Sequence, residues 1–164
     1  MKSRDLKLFG ETFTHVCDKT GRQTTYCVYD MIAHCKATAV PVSSPLESSD
    51  ELANGSHVEQ CNVPVEAYHA KYCMENRGVE EHRLARLYEG GPAVIEAQPI
   101  IFIKQEDGSM LLVDGTHRYI TAFMLKMANV PAYFVPWLVA VPFIVEDAPD
   151  VDPDALMNSF SGLL

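Results

Sequence analysis

No apolar run in this chain reaches the roughly 18 residues that a bilayer-spanning helix requires. The longest, Val130 to Val145, is broken by Pro131, Pro136 and Pro142. The first residues, Met1-Lys2-Ser3-Arg4-Asp5-Leu6-Lys7, lack the apolar stretch of a secretion signal, so a soluble cytoplasmic protein with no membrane partner is expected. Basic residues are also scarce. Thirteen Lys and Arg face 22 Asp and Glu, and the formal charge of -9 repels nucleic acid unless a local basic patch offsets it. The cysteines, Cys17, Cys27, Cys35, Cys61 and Cys73, number five and are irregularly spaced. That pattern is unlike the even framework of a small disulfide-stapled domain, and it points to reduced thiols. His15, Cys17, Cys27, His34 and Cys35 together offer tetrahedral zinc ligands, but without a Cys-x-x-Cys knuckle; buried free thiols explain them more simply.

What is present is apolar material: 48% of the 164 residues, enough for one domain with a real core. Around Asp18-Lys19-Thr20-Gly21, the β-branched and aromatic residues of Glu11 to Val16 and Thr24 to Tyr29 predict an N-terminal β-hairpin. Pro41 to Ser56, rich in Ser and Pro, reads as an exposed loop. Asn62 to Tyr68 reads as a strand. Val79 to Glu89 reads as a helix closed by Gly90-Gly91-Pro92, with Val79, Leu84 and Leu87 near one face. Pro99 to Lys104 and Met110 to Val113 flank an Asp-Gly turn as a buried hairpin. A helix from His117 to Ala128, with Ile120, Phe123, Met124 and Met127 as its apolar face, and a strand from Val130 to Val135 complete the core. Beyond Trp137 the chain is apolar to Val145 and then acidic, and Asp152-Pro153-Asp154 is a start signal for a terminal helix through Leu163.

The richest segment is Val113-Asp114-Gly115-Thr116-His117-Arg118. A buried strand that turns at Asp-Gly straight into a helix aims unpaired amides at one point, where the helix dipole adds positive charge. An anion suits that position. Gly115 admits close approach, Thr116 can cap the helix or donate its hydroxyl, His117 can donate, and Arg118 can grip phosphate oxygens. Asp114, the one anion of the turn, suits orienting Arg118 or holding a divalent metal. The competing interpretation is an ordinary Asp-Gly turn followed by solvated side chains.

With Gln98 to Ile103 before it and Val130-Pro131-Ala132 after it, this segment resembles the ParB/sulfiredoxin superfamily over about residues 61–136. The resemblance implies an α/β fold: a small mixed sheet with flanking helices, here carrying an N-terminal hairpin and loop (1–60) and a C-terminal extension (137–164). It also implies that Asp114, Gly115, Thr116, His117 and Arg118 bind the phosphates of ATP or ADP, with CTP as a further candidate, together with Mg2+ at Asp114. Arg83 and Arg86 lie on the helix that runs beside the nucleotide in that superfamily. Sulfiredoxins carry their nucleophilic cysteine where this chain has Thr116, which supplies no thiolate. The free-serine-kinase branch differs from this turn only at Thr116, and its acidic base corresponds to Glu75.

The resulting expectation is a nucleotide-binding protein that hydrolyses a nucleoside triphosphate or transfers its phosphate to a small hydroxyl acceptor, with Glu75, His117 and Asp114 as catalytic candidates. Most glutamates are plain surface carboxylates, and Glu80 and Glu81 suit a helix N-terminus, where Glu80 and Arg83 are also spaced to pair. A metal-dependent nuclease using Asp114, Glu75 and His117 is the second reading, disfavoured by the net charge. The third is a non-catalytic nucleotide-binding or inhibitory module whose decorations contact a protein partner through Trp137, Phe143 and Ile144. No room remains for the helix-turn-helix of a DNA-partitioning protein.

Overall fold

A computed structural model describes residues 12–17, 20–42 and 57–148. The proposed terminal helix at 152–163 and most of the 41–56 loop lie outside the described residues. The chain divides into two compact units, residues 1–31 with 143–164 and residues 32–142.

In the smaller unit, β1 (Thr12–Val16) and β2 (Gln23–Cys27) form the expected antiparallel hairpin, with Thr14 facing Thr25 and their hydroxyls 2.8 Å apart. Its turn is closed by Cys17 N–H donating to Arg22 C=O. A strand from the C-terminal extension, β8 (Ile144–Ala148), pairs antiparallel with β2 and makes a three-stranded sheet. The hairpin and the extension therefore share one sheet. Strands 120 residues apart meet only through tertiary pairing, which no local pattern announces.

Helix α1 (Val28–Thr38) follows β2, and the division between the units falls within it, after Met31. Its residues carry a weak amphipathic pattern, with the fully buried Met31 and Cys35 one turn apart.

The larger unit is built on a five-stranded mixed sheet in the order β3-β4-β7-β5-β6, where β3 is Val40–Pro41, β4 Glu59–Pro64, β5 Ile100–Lys104, β6 Met110–Asp114 and β7 Asn129–Val135. β5 and β6 are an antiparallel hairpin, β7 runs parallel to β5, and β4 runs antiparallel to β7. The central strands are apolar on both faces: Val130, Ala132 and Phe134 alternate with Tyr133 and Val135, and all are buried. Phe102 and Phe134, partners in the β5–β7 register, stack 5.3 Å apart.

Between β4 and β5 the chain makes α2 (Ala67–Asn76), α3 (Glu81–Gly90) and the short α4 (Pro92–Glu96). The strand read from Asn62 to Tyr68 thus stops at Pro64, and its last residues open a helix. α2 presents only the small Ala70 and Cys73 to the core, while Tyr68, Tyr72 and Met74 are exposed, so its periodicity is faint. Gly91 (φ 74°) ends α3 by accepting the left-handed backbone, and Pro92 starts α4 at the position where a missing N–H costs nothing.

α5 (Thr116–Met124) carries the chain from β6 past β5 to β7 and packs against α2, α3 and α4. Its buried side chains are His117, Tyr119, Ile120, Thr121 and Ala122, whereas Phe123 and Met124 are nearly half exposed. The expected face is therefore rotated toward residues that count as polar by type. Thr121 is admitted to the core because its hydroxyl donates to the His117 carbonyl at 2.7 Å. α6 (Trp137–Ala140) and a 3-10 turn (Val141–Phe143) lead to β8. Among the described residues no helix is long and apolar enough to cross a membrane, and none of the five cysteines forms a disulfide.

Candidate functional site

The corner where β6 becomes α5 is shaped by Gly115. Its φ of 105° is left-handed, and a Cβ there would sit 2.2 Å from Ile100 Cγ2 at the start of β5. Gly115, not Thr116, takes the N-cap position, and no side chain caps the helix. The Gly115 carbonyl accepts Tyr119 N–H at 2.8 Å. The amides of Thr116, His117 and Arg118 find no acceptor among the described residues, so this turn keeps the unclaimed donors that the Asp-Gly-to-helix sequence implies.

The side chains are arranged less openly. Arg118 Nη2 donates to Asp114 Oδ2 at 2.7 Å, and Nη1 donates to the Gln98 carbonyl at 2.9 Å. Both members of the pair are about seven-eighths buried, with side chains 13% and 12% exposed. Asp114 does orient Arg118, one of its two expected roles, but the two charges largely cancel. The guanidinium is held by the protein rather than presented as a free fork. The Asp114 carboxylate is paired, and among the described residues no three His, Cys, Asp or Glu side chains gather.

His117 is buried, and its Nε2 accepts the Glu80 N–H at 3.0 Å. The ring thus serves the protein as an acceptor at Nε2, where the sequence suggested a donor. Burial is the main cause of a pKa below the usual 6.5, with the positive charges of Arg83 and His82 adding to it and Glu80 opposing. Arg83 is therefore close enough to act on the turn, and it is exposed and forms no ion pair among the described residues. Glu80 pairs instead with His82, at 3.4 Å.

Glu75 sits in the last turn of α2 rather than in a loop; it is 60% exposed and 4.0 Å from Lys71. Nothing in its contacts draws it to the turn. Arg86 is exposed on α3. Trp137, Phe143 and Ile144 are all partly buried. Three groups that sequence reasoning did not single out complete the corner: the Gln98 carbonyl, the Glu80 amide and Tyr119. The Tyr119 hydroxyl accepts Glu66 N–H at 2.9 Å and donates to Pro64 C=O at 3.3 Å, tying α5 to the start of α2. Backbone groups carry no sequence signature, and a tyrosine in an apolar helix face reads as core.

Fold and corner together define an α/β protein with a mixed sheet, in which a glycine turn delivers uncapped helix amides next to a self-paired Asp and Arg. Comparison with protein-family models, curated proteins and solved structures finds no match.

Proposed function

We propose that the protein is a ParB/sulfiredoxin-like nucleotide-binding protein that holds ATP or a related nucleotide by its phosphates and hydrolyses it or passes a phosphate to a small hydroxyl acceptor. The observation that carries this reading is the β6–α5 corner: three successive helix-opening amides without an acceptor among the described residues, on a backbone brought in close by a glycine that tolerates no Cβ. Such a corner accepts an anion from the helix dipole and from fixed N–H groups, without reorganisation.

In this arrangement the attractive positive charge comes chiefly from the helix terminus and from Arg83, because Arg118 is neutralised by Asp114. Arg118 and Asp114 brace the turn. The base for an acceptor hydroxyl is Glu75 in this reading, supported by its exposure and by the family resemblance. No step is routed through a metal, since the residues of the turn do not cage one; adding magnesium to the binding assay tests whether the nucleotide brings it.

The test is calorimetry and thermal shift with ATP, ADP and CTP, with and without magnesium, on the protein and on Arg83→Ala. At least one nucleotide is expected to raise the melting temperature. Arg83→Ala, on an exposed side chain, is expected to weaken binding about tenfold while leaving stability unchanged. Arg118→Ala is expected instead to destabilise the protein by about 3 kcal/mol, because it strands the Asp114 carboxylate. No shift with any nucleotide would overturn the reading. Glu75→Gln is expected to retain binding and slow phosphate release, and equal turnover would remove Glu75 as the base.

A further inference from the structure

One contact of the corner is left unused by that reading, the hydrogen bond from the Glu80 amide to His117 Nε2. Glu80 is the residue from which α3 starts. Its carbonyl accepts the N–H groups of Arg83 and Leu84, at 3.1 and 3.2 Å, and its side chain caps nothing. The position of α3's first turn against α5 thus depends on an acceptor supplied by the imidazole. An imidazole that accepts at Nε2 carries its proton on Nδ1. Among the described residues Nδ1 has no hydrogen-bond partner.

The charged groups that act on this ring all come from α3: Arg83 and His82 disfavour its protonation and Glu80 favours it. Among the described residues, the other elements packed on α5, which are α2 (with His69, Lys71 and Glu75), α4, β5 and β7, exert no comparable influence on it. On the residue's own turn, Asp114 and Arg118 answer each other. Burial adds to the preference for the neutral ring.

We propose that His117 is a positioning residue: its neutral ring latches the start of α3, and with it Arg83, to the glycine turn, and protonation at Nε2 opens the latch. The chemistry is direct. A proton on Nε2 replaces the lone pair that receives the Glu80 N–H, leaving two N–H groups facing each other with no acceptor between them. The Glu80 N–H, whose bond to the ring is only partly buried, must then turn to water, and the first turn of α3 moves away from the ring to allow it. The consequence for anions, that acid weakens binding by withdrawing Arg83, rests on the phosphate reading above; the latch itself does not.

The test is 15N NMR on the intact protein across acid and neutral pH, following the His117 ring nitrogens and the hydrogen-exchange protection of the Glu80 amide. At neutral pH the proton is expected on Nδ1, with the Glu80 amide protected. As the ring titrates, that protection is expected to fall at least about tenfold with the same midpoint, while amides in the β4–β7 pairing keep theirs. In His117→Gln, whose side-chain oxygen is an acceptor that does not titrate, Glu80 protection is expected to be flat over the same range. A neutral ring protonated on Nε2, or Glu80 protection that ignores the ring's titration, overturns the proposal; wild-type spectra alone decide this if the variant does not fold. ATP, added as a probe, separates the two ideas. If the Thr116, His117 and Arg118 amides do not respond to it while the latch titrates, the phosphate reading fails and the latch stands. If they respond while Glu80 is indifferent to pH, the latch fails and the phosphate reading stands.

Discussion

At the scale of single residues, the corner depends on what glycine permits. Gly115 and Gly108 both have positive φ, 105° and 89°, but a Cβ at Gly115 collides with Ile100 whereas at Gly108 it meets nothing within 4 Å. Gly108→Ala is therefore expected to cost about 1 kcal/mol, the price of a left-handed alanine alone. Gly115→Ala is expected to cost on the order of 3 kcal/mol, since backbone strain and overpacking act together. Urea denaturation of the two variants checks the difference, and equal losses would mean that Ile100 yields without cost. Side-chain type names what a group can do, and the fold decides which of those options it uses. His117 and Arg118 are a donor-rich pair in sequence, yet one accepts a backbone N–H and the other is held by a carboxylate and a carbonyl.

At the scale of elements, α5 is the hub, packed against three helices and two strands. Its buried side is set by Tyr119, Ile120 and Ala122, with Thr121 self-satisfied among them. Ile120→Ala is expected to cost on the order of 3 kcal/mol through the cavity it leaves. Phe123→Ala, at a position 44% exposed, is expected to change stability by no more than about 0.5 kcal/mol. Denaturant midpoints compare them, and a larger loss at Phe123 would restore the face expected from periodicity. The elements whose apolar pattern is strong, β5, β6, β7 and α3, were legible in the sequence to within a few residues. α1 and α2 were not, because their buried positions are few and small or sulfur-bearing, such as Ala70, Cys73 and Cys35, and give the hydrophobic period little amplitude.

At the scale of the whole molecule, buried titratable groups bound the pH range of full stability, His117 on the acid side and buried thiols, Cys35 and Cys61 foremost, on the alkaline side. His117 titrates below its usual 6.5 in the fold, so between that lowered value and 6.5 the unfolded chain binds more protons. The stability it contributes is complete above 6.5 and is lost as pH falls through the folded value. Burial pushes the Cys35 thiol from 9.0 up to about 12, with the Asp114 carboxylate adding to it. Between those values the unfolded chain releases its proton first, so stability falls as pH rises above 9.0. A stability plateau between the two limits is expected in urea unfolding at graded pH. His117→Gln should flatten the acid side relative to the native chain and leave the alkaline side unchanged, and an unaltered acid limb would show that His117 does not set it.

Local pattern was sufficient for the order of the central elements and for the glycine turn into α5, because alternation, helical period and an Asp-Gly pair act over a few neighbouring residues. It was also sufficient to mark Asp114, Gly115 and Arg118 as belonging together, since all three lie within the few residues where the strand turns into the helix. The folded chain alone decided that β8 joins β2, that Gln98 and Glu80 lend backbone groups to the corner, and that Arg118 is spent on Asp114 while Arg83 stays free to meet solvent. Those outcomes depend on partners brought together across tens of residues by packing and strand pairing, and a backbone N–H or C=O looks the same at every position of a sequence.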